Sequence, residues 1–143
     1  MPRLAPFGYS RSFMVFTIPF TGFLNASTQV NVCLSKTLPY ACELERVEIV
    51  TNVVGTGTAA NRDLNIRKGS ATGTLCGTVA ATLANQGVLG VVTAGTVTNA
   101  ANANKFGVND TLTVEFQTAS AVVFTAGGFD LILTFRDKNQ AAA

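Results

Sequence analysis

Gly107-Val-Asn-Asp-Thr-Leu-Thr-Val-Glu-Phe-Gln117 alternates cleanly: Leu112, Val114 and Phe116 are apolar, and Thr111, Thr113, Glu115 and Gln117 around them are polar. A period of two sends the apolar side chains to one face of an extended chain and the polar ones to the other. Gly107 and Asn109-Asp110 come just before. Glycine accepts positive φ and Asx side chains bond the backbone two residues on, so the stretch predicts a sharp turn feeding a half-buried β-strand. Its place one residue before the strand makes Asp110 a turn-capping carboxylate rather than a calcium ligand shared with Asn109.

The same signal recurs outward from this strand. Downstream, Ala121-Val-Val-Phe124 is followed by Gly127-Gly128, read as a turn. Phe129, Leu131, Leu133 and Phe135 then alternate with Asp130, Ile132, Thr134 and Arg136. Upstream, Phe13 to Phe20 is rich in aromatic and branched residues and apolar on both faces, so it is expected to be covered on both. Pro19 cannot donate a ladder hydrogen bond and puts the end of that strand at an edge or bulge. Pro19 and Gly22 also make the segment a strand and turn rather than a secretory leader. Thr28 to Leu34 alternates, with Val30, Val32 and Leu34 on one face. Leu38-Pro39-Tyr40 breaks the chain.

Glu43 to Val54 is the longest strand candidate, with Glu45, Val47, Ile49, Thr51 and Val53 on one face. The glutamates favour helix, but Val47, Ile49, Val50, Thr51, Val53 and Val54 are stiff at χ1 and favour a pleated surface. Gly55 to Asn61 reads as a loop, Leu64 and Ile66 mark a short alternating strand, and Lys68-Gly69-Ser70 ends it. Residues 71–105 are mostly small, and the segment predicts a large loop region carrying contacts to neighbours. Within it, Thr78 to Asn85 has the pattern of a short helix and Val88 to Val97 that of one or two weak strands.

About eight strands split by Gly, Asn and Pro turns predict an all-β fold: an antiparallel two-sheet sandwich, jelly-roll-like, with long loops. The chain's 143 residues divide into an irregular N-terminal arm (1–12), a single sandwich domain (13–136) and a short C-terminal tail (137–143). A domain this long buries roughly 68–70% of its unfolded surface without staples. Pro2, Pro6 and Gly8 make the arm irregular, while Phe7 and Tyr9 suit it to lie on a neighbour.

Charged residues are only 13% of the chain and the net charge is +2. The mean hydropathy is +0.34. That balance implies apolar surface covered by partner chains. It gives no footing for nucleic acid, which needs a concentrated basic patch. Histidine is absent, which removes the usual Ser-His-Asp and Cys-His nucleophile activation. Glu43, Glu45 and Glu48 sit together while Asp63, Asp110, Glu115, Asp130 and Asp137 are scattered, and no pair argues for glycosidase chemistry. Gly55-x-Gly57 lacks the lysine-bearing helix of a phosphate cradle. Arg62, Arg67 and Lys68 form a small basic cluster, suited to an acidic partner surface or to ordinary solvation. The three cysteines, Cys33, Cys42 and Cys76, form no CxxC. They read as reduced, partly buried apolar groups of a cytoplasmically folded chain. No catalytic, cofactor-binding or metal-binding residue is assigned.

Several segments occur in a telling order. They are Phe-Thr-Ile-Pro-Phe-Thr-Gly (Phe16–Gly22) and Leu-Pro-x-x-x-x-Leu-x-x-Val-x-Ile-Val (Leu38–Val50). A polar strand ending in Lys68-Gly69 and a long Ala/Thr/Gly stretch follow. Val-Asn-Asp-x-Leu-x-Val (Val108–Val114) and Leu-Ile-Leu-Thr-Phe-Arg (Leu131–Arg136) come last. This pattern resembles the small head decoration or cement proteins of tailed bacteriophages, over most of residues 13–136. Asn109 stands where such segments often carry glycine. The resemblance implies a non-enzymatic virion protein on the capsid exterior, made in the host cytoplasm, with no cofactor, nucleic-acid or membrane partner. It implies a homo-oligomer, a trimer by preference, bound to the major capsid protein lattice. Two other readings stay open: a carbohydrate- or receptor-binding sandwich of a tail fibre or spike, and a self-assembling shell or tail subunit. The absence of Trp, with only Tyr9 and Tyr40, counts against a sugar platform.

Overall fold

The computed structural model describes residues 13–21, 31–58, 61–82, 84–119 and 123–137. The arm at 1–12, the turn at Gly22, the start of the 28–34 alternation, Ala121 and the chain after Asp137 lie outside the described residues, as do the side chains of Cys33, Arg62 and Phe116. Ten strands are described: β1 (Phe13–Thr21), β2 (Asn31–Thr37), β3 (Cys42–Thr58), β4 (Asn61–Lys68), β5 (Thr74–Thr82), β6 (Val92–Ala94), β7 (Thr96–Val97), β8 (Lys105–Phe106), β9 (Thr111–Ala119) and β10 (Val123–Asp137). A 3-10 turn covers Ala100–Asn102.

The strands form two antiparallel sheets, ordered β1-β10-β3-β6 and β2-β9-β4-β5-β7, with β8 also pairing β3. The chain crosses from one sheet to the other between every two consecutive strands except β4 and β5. That winding is the jelly-roll sandwich expected from the alternation. β1, with Pro19, is an edge strand, as the proline requires.

The core lies between the sheets. Val47 and Ile49 from β3, Leu64 and Ile66 from β4, Leu112 and Val114 from β9, and Phe129, Leu131, Leu133 and Phe135 from β10 are all buried. Phe135 is met edge-on by Phe16 and Phe106, each with its ring centroid 5.7 Å away, an arrangement favoured by the aromatic quadrupole. Small residues bring the sheets together at one side. Gly95, between β6 and β7, is where the chain passes from the first sheet to the second. A Cβ there would collide with the Thr78 carbonyl oxygen and come within 2.8 Å of Val79 Cβ.

Five expectations are corrected. Thr78–Thr82 belongs to strand β5, not to a helix, because Cys76, Val79 and Ala81 are drawn into the core. Residues 71–105 are not one large loop, since β5, β6 and β7 lie within them and β8 begins at Lys105. Gly55–Thr58 extends β3 instead of looping, held by pairing of Thr56, Gly57 and Thr58 with β10. Gly127-Gly128 is not a turn: β10 runs through it with shifts of register, the usual place for glycine inside a strand. The faces of β3 also change partway. Thr134 pairs Arg46 while Phe135 pairs Leu44, so Glu45 is an inserted residue. This bulge turns Leu44 inward and leaves Glu45 exposed.

Candidate interaction surface

The groups with chemical potential are taken up by the fold. The Gly107 amide donates to Asp110 Oδ2 at 2.7 Å, so Asp110 is the turn cap expected. Asn109, at φ +67°, occupies the left-handed region that its neighbour's role demands. The Asn109 amide donates to the Leu38 carbonyl and the Leu38 amide to the Asp110 carbonyl, tying this turn to the Leu38 break.

The acidic group of β3 is likewise partnered. Arg136 reaches Glu43 at 3.0 Å and Glu45 at 2.9 Å, and Asn104 donates to Glu43 Oε1 at 3.1 Å. Asn52 donates to Asp130 at 3.0 Å. The basic cluster does not stand as a patch. Arg67 is ion-paired to Glu115 at 2.6 Å and donates to the Gly73 carbonyl, whereas Lys68 donates to the Lys105 carbonyl. Glu115 also accepts from Asn65 at 3.0 Å. The polar face of β9 is therefore covered: Glu115 and Thr113 are buried beneath Arg67 and the Gly69–Gly73 turn, and Thr113 Oγ1 donates to the Gly69 carbonyl. Cys42 and Cys76 are free and buried. Burial pushes both thiols up to about 11, helped at Cys42 by Asp137 and Asp110 and opposed at Cys76 by Lys68 and Arg67. Such thiols are poor nucleophiles. Among the described residues no three His, Cys, Asp or Glu side chains gather as a metal site.

The fold also leaves apolar side chains uncovered. β1 ends with Thr21 opposite Gly128, and β6 begins with Val92 opposite Val50. Beyond those points β3 and β10 stay paired with each other, a ribbon that runs to Thr58 and Val123. Val53 and Val54 are neighbours on β3 and face opposite ways, yet both are exposed, at 47% and 37%. Solvent thus reaches both sides of β3 at these two residues.

The segment leading into β6 runs beside the ribbon. Gly55 donates to the Gln86 carbonyl, Gly90 to the Thr51 carbonyl and Thr51 to the Val91 carbonyl. This segment presents Val88 at 64%, Leu89 at 60% and Val92 at 56% exposed. No Asp, Glu, Lys or Arg occurs from Ile49 through Asn61, from Gly69 through Asn104, or from Phe116 through Phe129. Elsewhere, a shallow groove of about 440 Å³ on the outer face of the first sheet is lined by Val15, Glu45, Arg46 and Thr134. Part of this exposed apolar surface lies in the 71–105 region, which the sequence marks only by its small, uncharged residues. The ribbon escaped notice because its two strands are far apart in sequence.

No protein-family model and no curated protein matches the chain. Among solved structures, a chain in the structure of infectious bursal disease virus Gx strain aligns with it at 12% identity and a TM-score of 0.37. The alignment covers 90% of this chain but only 33% of that one, so this chain spans about a third of the viral chain's length. A likeness at that level carries no functional argument.

Proposed function

We propose that this chain is a non-enzymatic virion structural protein that decorates and stabilises a tailed-phage capsid. In this reading it acts on the capsid exterior as a homo-oligomer, a trimer by preference, held to the major capsid protein lattice. The observation that carries the reading is a jelly-roll sandwich in which Glu43, Glu45 and Glu115 are held by Arg136 and Arg67 while aliphatic side chains such as Val53, Val88, Leu89 and Val92 are left exposed. Surface of that kind calls for a protein partner, since exposed apolar area gains free energy only by being covered. The motif order from Phe16 to Arg136 supports the phage setting.

The test is co-sedimentation of the purified protein with empty, undecorated tailed-phage shells. Saturable binding at a fixed number of copies per shell, with the decorated shells surviving heating that ruptures bare ones, is the expected result. Protein left wholly in the supernatant would end the decoration reading. Spontaneous rings or closed shells formed by the protein alone would replace it with a shell or tail subunit.

A further inference from the structure

We infer that residues 86–91 form a strap that detaches from β3 as a local opening unit, with the buried amide of Gln86 as its release. The inference goes beyond the proposed function and does not rest on it.

The strap lies between two anchored ends. Before it, the Asn85 amide donates to Thr82 Oγ1 at 3.0 Å and the Asn85 side chain to the Ala80 carbonyl at 3.0 Å, both on β5. After it, Val92 opens β6 opposite Val50. Between these ends backbone bonds hold the strap to β3. Gly55 donates to the Gln86 carbonyl at 2.8 Å, Gly90 to the Thr51 carbonyl at 2.8 Å and Thr51 to the Val91 carbonyl at 3.1 Å. Gly87, Val88, Leu89, Gly90 and Val91 are all exposed, so their side chains fasten the strap to nothing beneath it.

Gln86 is the one buried residue of the strap, at 0% exposed. An apolar side chain in that position would hold the strap down by its own burial. Gln86 does the opposite. Neither its Nε2 nor its Oε1 has a hydrogen-bond partner among the described residues. A buried amide without partners has given up its bonds to water and gained none, so the closed strap carries a penalty that opening relieves. Few buried apolar contacts and backbone bonds close to water mark a segment that opens ahead of the rest of its domain. The centre of the first sheet is the contrary case, since Leu131 and Leu133 of β10 are buried and β10 is flanked by β1 and β3. Opening of the strap frees the Thr51 and Gly55 amides and the Thr51 carbonyl on β3 while that core stays packed.

Amide hydrogen exchange of the full chain, read residue by residue by NMR, tests this in the wild type and in Gln86→Met. Methionine has nearly the length of glutamine, fills irregular spaces and carries no amide, so the fold should survive the change. In the wild type, the Thr51, Gly55 and Gly90 amides are expected to exchange at least ~100-fold faster than those of Leu131 and Leu133 once intrinsic rates are divided out. Low concentrations of urea should barely alter the strap rates, because a local opening exposes little surface. In Gln86→Met the three strap amides are expected to slow by about tenfold, because closing no longer strands an amide.

Strap amides that exchange as slowly as Leu131 and Leu133, with the same urea dependence, would overturn the inference, since the strap would then open only with the whole domain. Strap rates in Gln86→Met equal to or faster than those of the wild type would overturn it as well. The Gln86 amide would then have no part in release, or would hold the strap closed.

Discussion

Glu115 shows how a single residue can look like surface and be interior. Its alternation with Val114 and Phe116 marks it as outward-facing, and it is; yet Arg67, Asn65 and the Gly69–Gly73 turn enclose it. Removing Arg67 leaves a buried carboxylate hydrogen-bonded to Asn65 without its cation, and breaking a buried pair costs about 3 kcal/mol or more. Arg67→Ala is therefore expected to lower the denaturant midpoint strongly. Arg67→Met combined with Glu115→Leu should recover most of that loss, because no charge is then stranded. A double variant no better than Arg67→Ala would show that the pair's attraction itself supplies the stability. The thiols give a second residue-scale test. Both folded values lie near 11, above the ordinary 9.0. Between about pH 9 and 11 the unfolded chain has lost protons that the folded chain keeps, so stability falls as pH rises through that window. Thermal melts from pH 8 to 11 should show a shallower decline for Cys76→Ala than for the wild type. Equal slopes would assign the alkaline loss to other groups.

At the scale of elements, what the sequence revealed depended on side-chain size. β4, β9 and β10 carry Leu, Ile, Val or Phe at every second inward position, and their alternation marked both strand and face. The Asn109-Asp110 turn was equally plain, because only a few residue types tolerate φ +67° beside a capping carboxylate. β5 was opaque for the opposite reason. Its inward positions include Cys76, Val79 and Ala81, and Gly77 lies where a Cβ would come within 3.0 Å of Val47 Cγ2. Small residues are required by the close approach of β3 and β7, and they erase the hydrophobic period that would have betrayed the strand. The bulge at Glu45 hid in the same way, since one inserted residue exchanges the faces without changing composition. The crossing at Gly95 follows from this tight packing and can be tested. Its amide donates to the Val47 carbonyl at 2.7 Å, and a methyl group would strike β5. Gly95→Ala should cost about 1–3 kcal/mol by overpacking. By comparison, Leu133→Ala should cost about 2–5 kcal/mol by opening a cavity in the core. Unfolding curves for Gly95→Ala that match the wild type would mean that β6 and β7 shift freely, and that the crossing does not need glycine.

Across the described molecule most of the exposed aliphatic side chains lie in stretches without Asp, Glu, Lys or Arg, whereas Val15 sits beside Glu45 and Arg46. Arg136 holds Glu43 and Glu45, and Arg67 holds Glu115, whereas the ribbon and the Val88–Val92 segment carry no charged residue of their own and meet one only where Asn52 reaches Asp130. Neither feature is visible from any one strand: the ribbon joins β3 to β10, which are far apart in sequence. This distribution makes the salt response of the proposed association diagnostic. Charge-driven contacts between exposed groups weaken as the Debye length falls from about 10 Å at 0.1 M to about 3 Å at 1 M. An uncharged contact has nothing to screen. The native mass should therefore be unchanged between ~0.1 and ~1 M sodium chloride, and sulfate should extend association to lower protein concentration by favouring apolar burial. Dissociation that deepens steadily with sodium chloride would instead put Arg46, Glu45 or Lys36 at the contact.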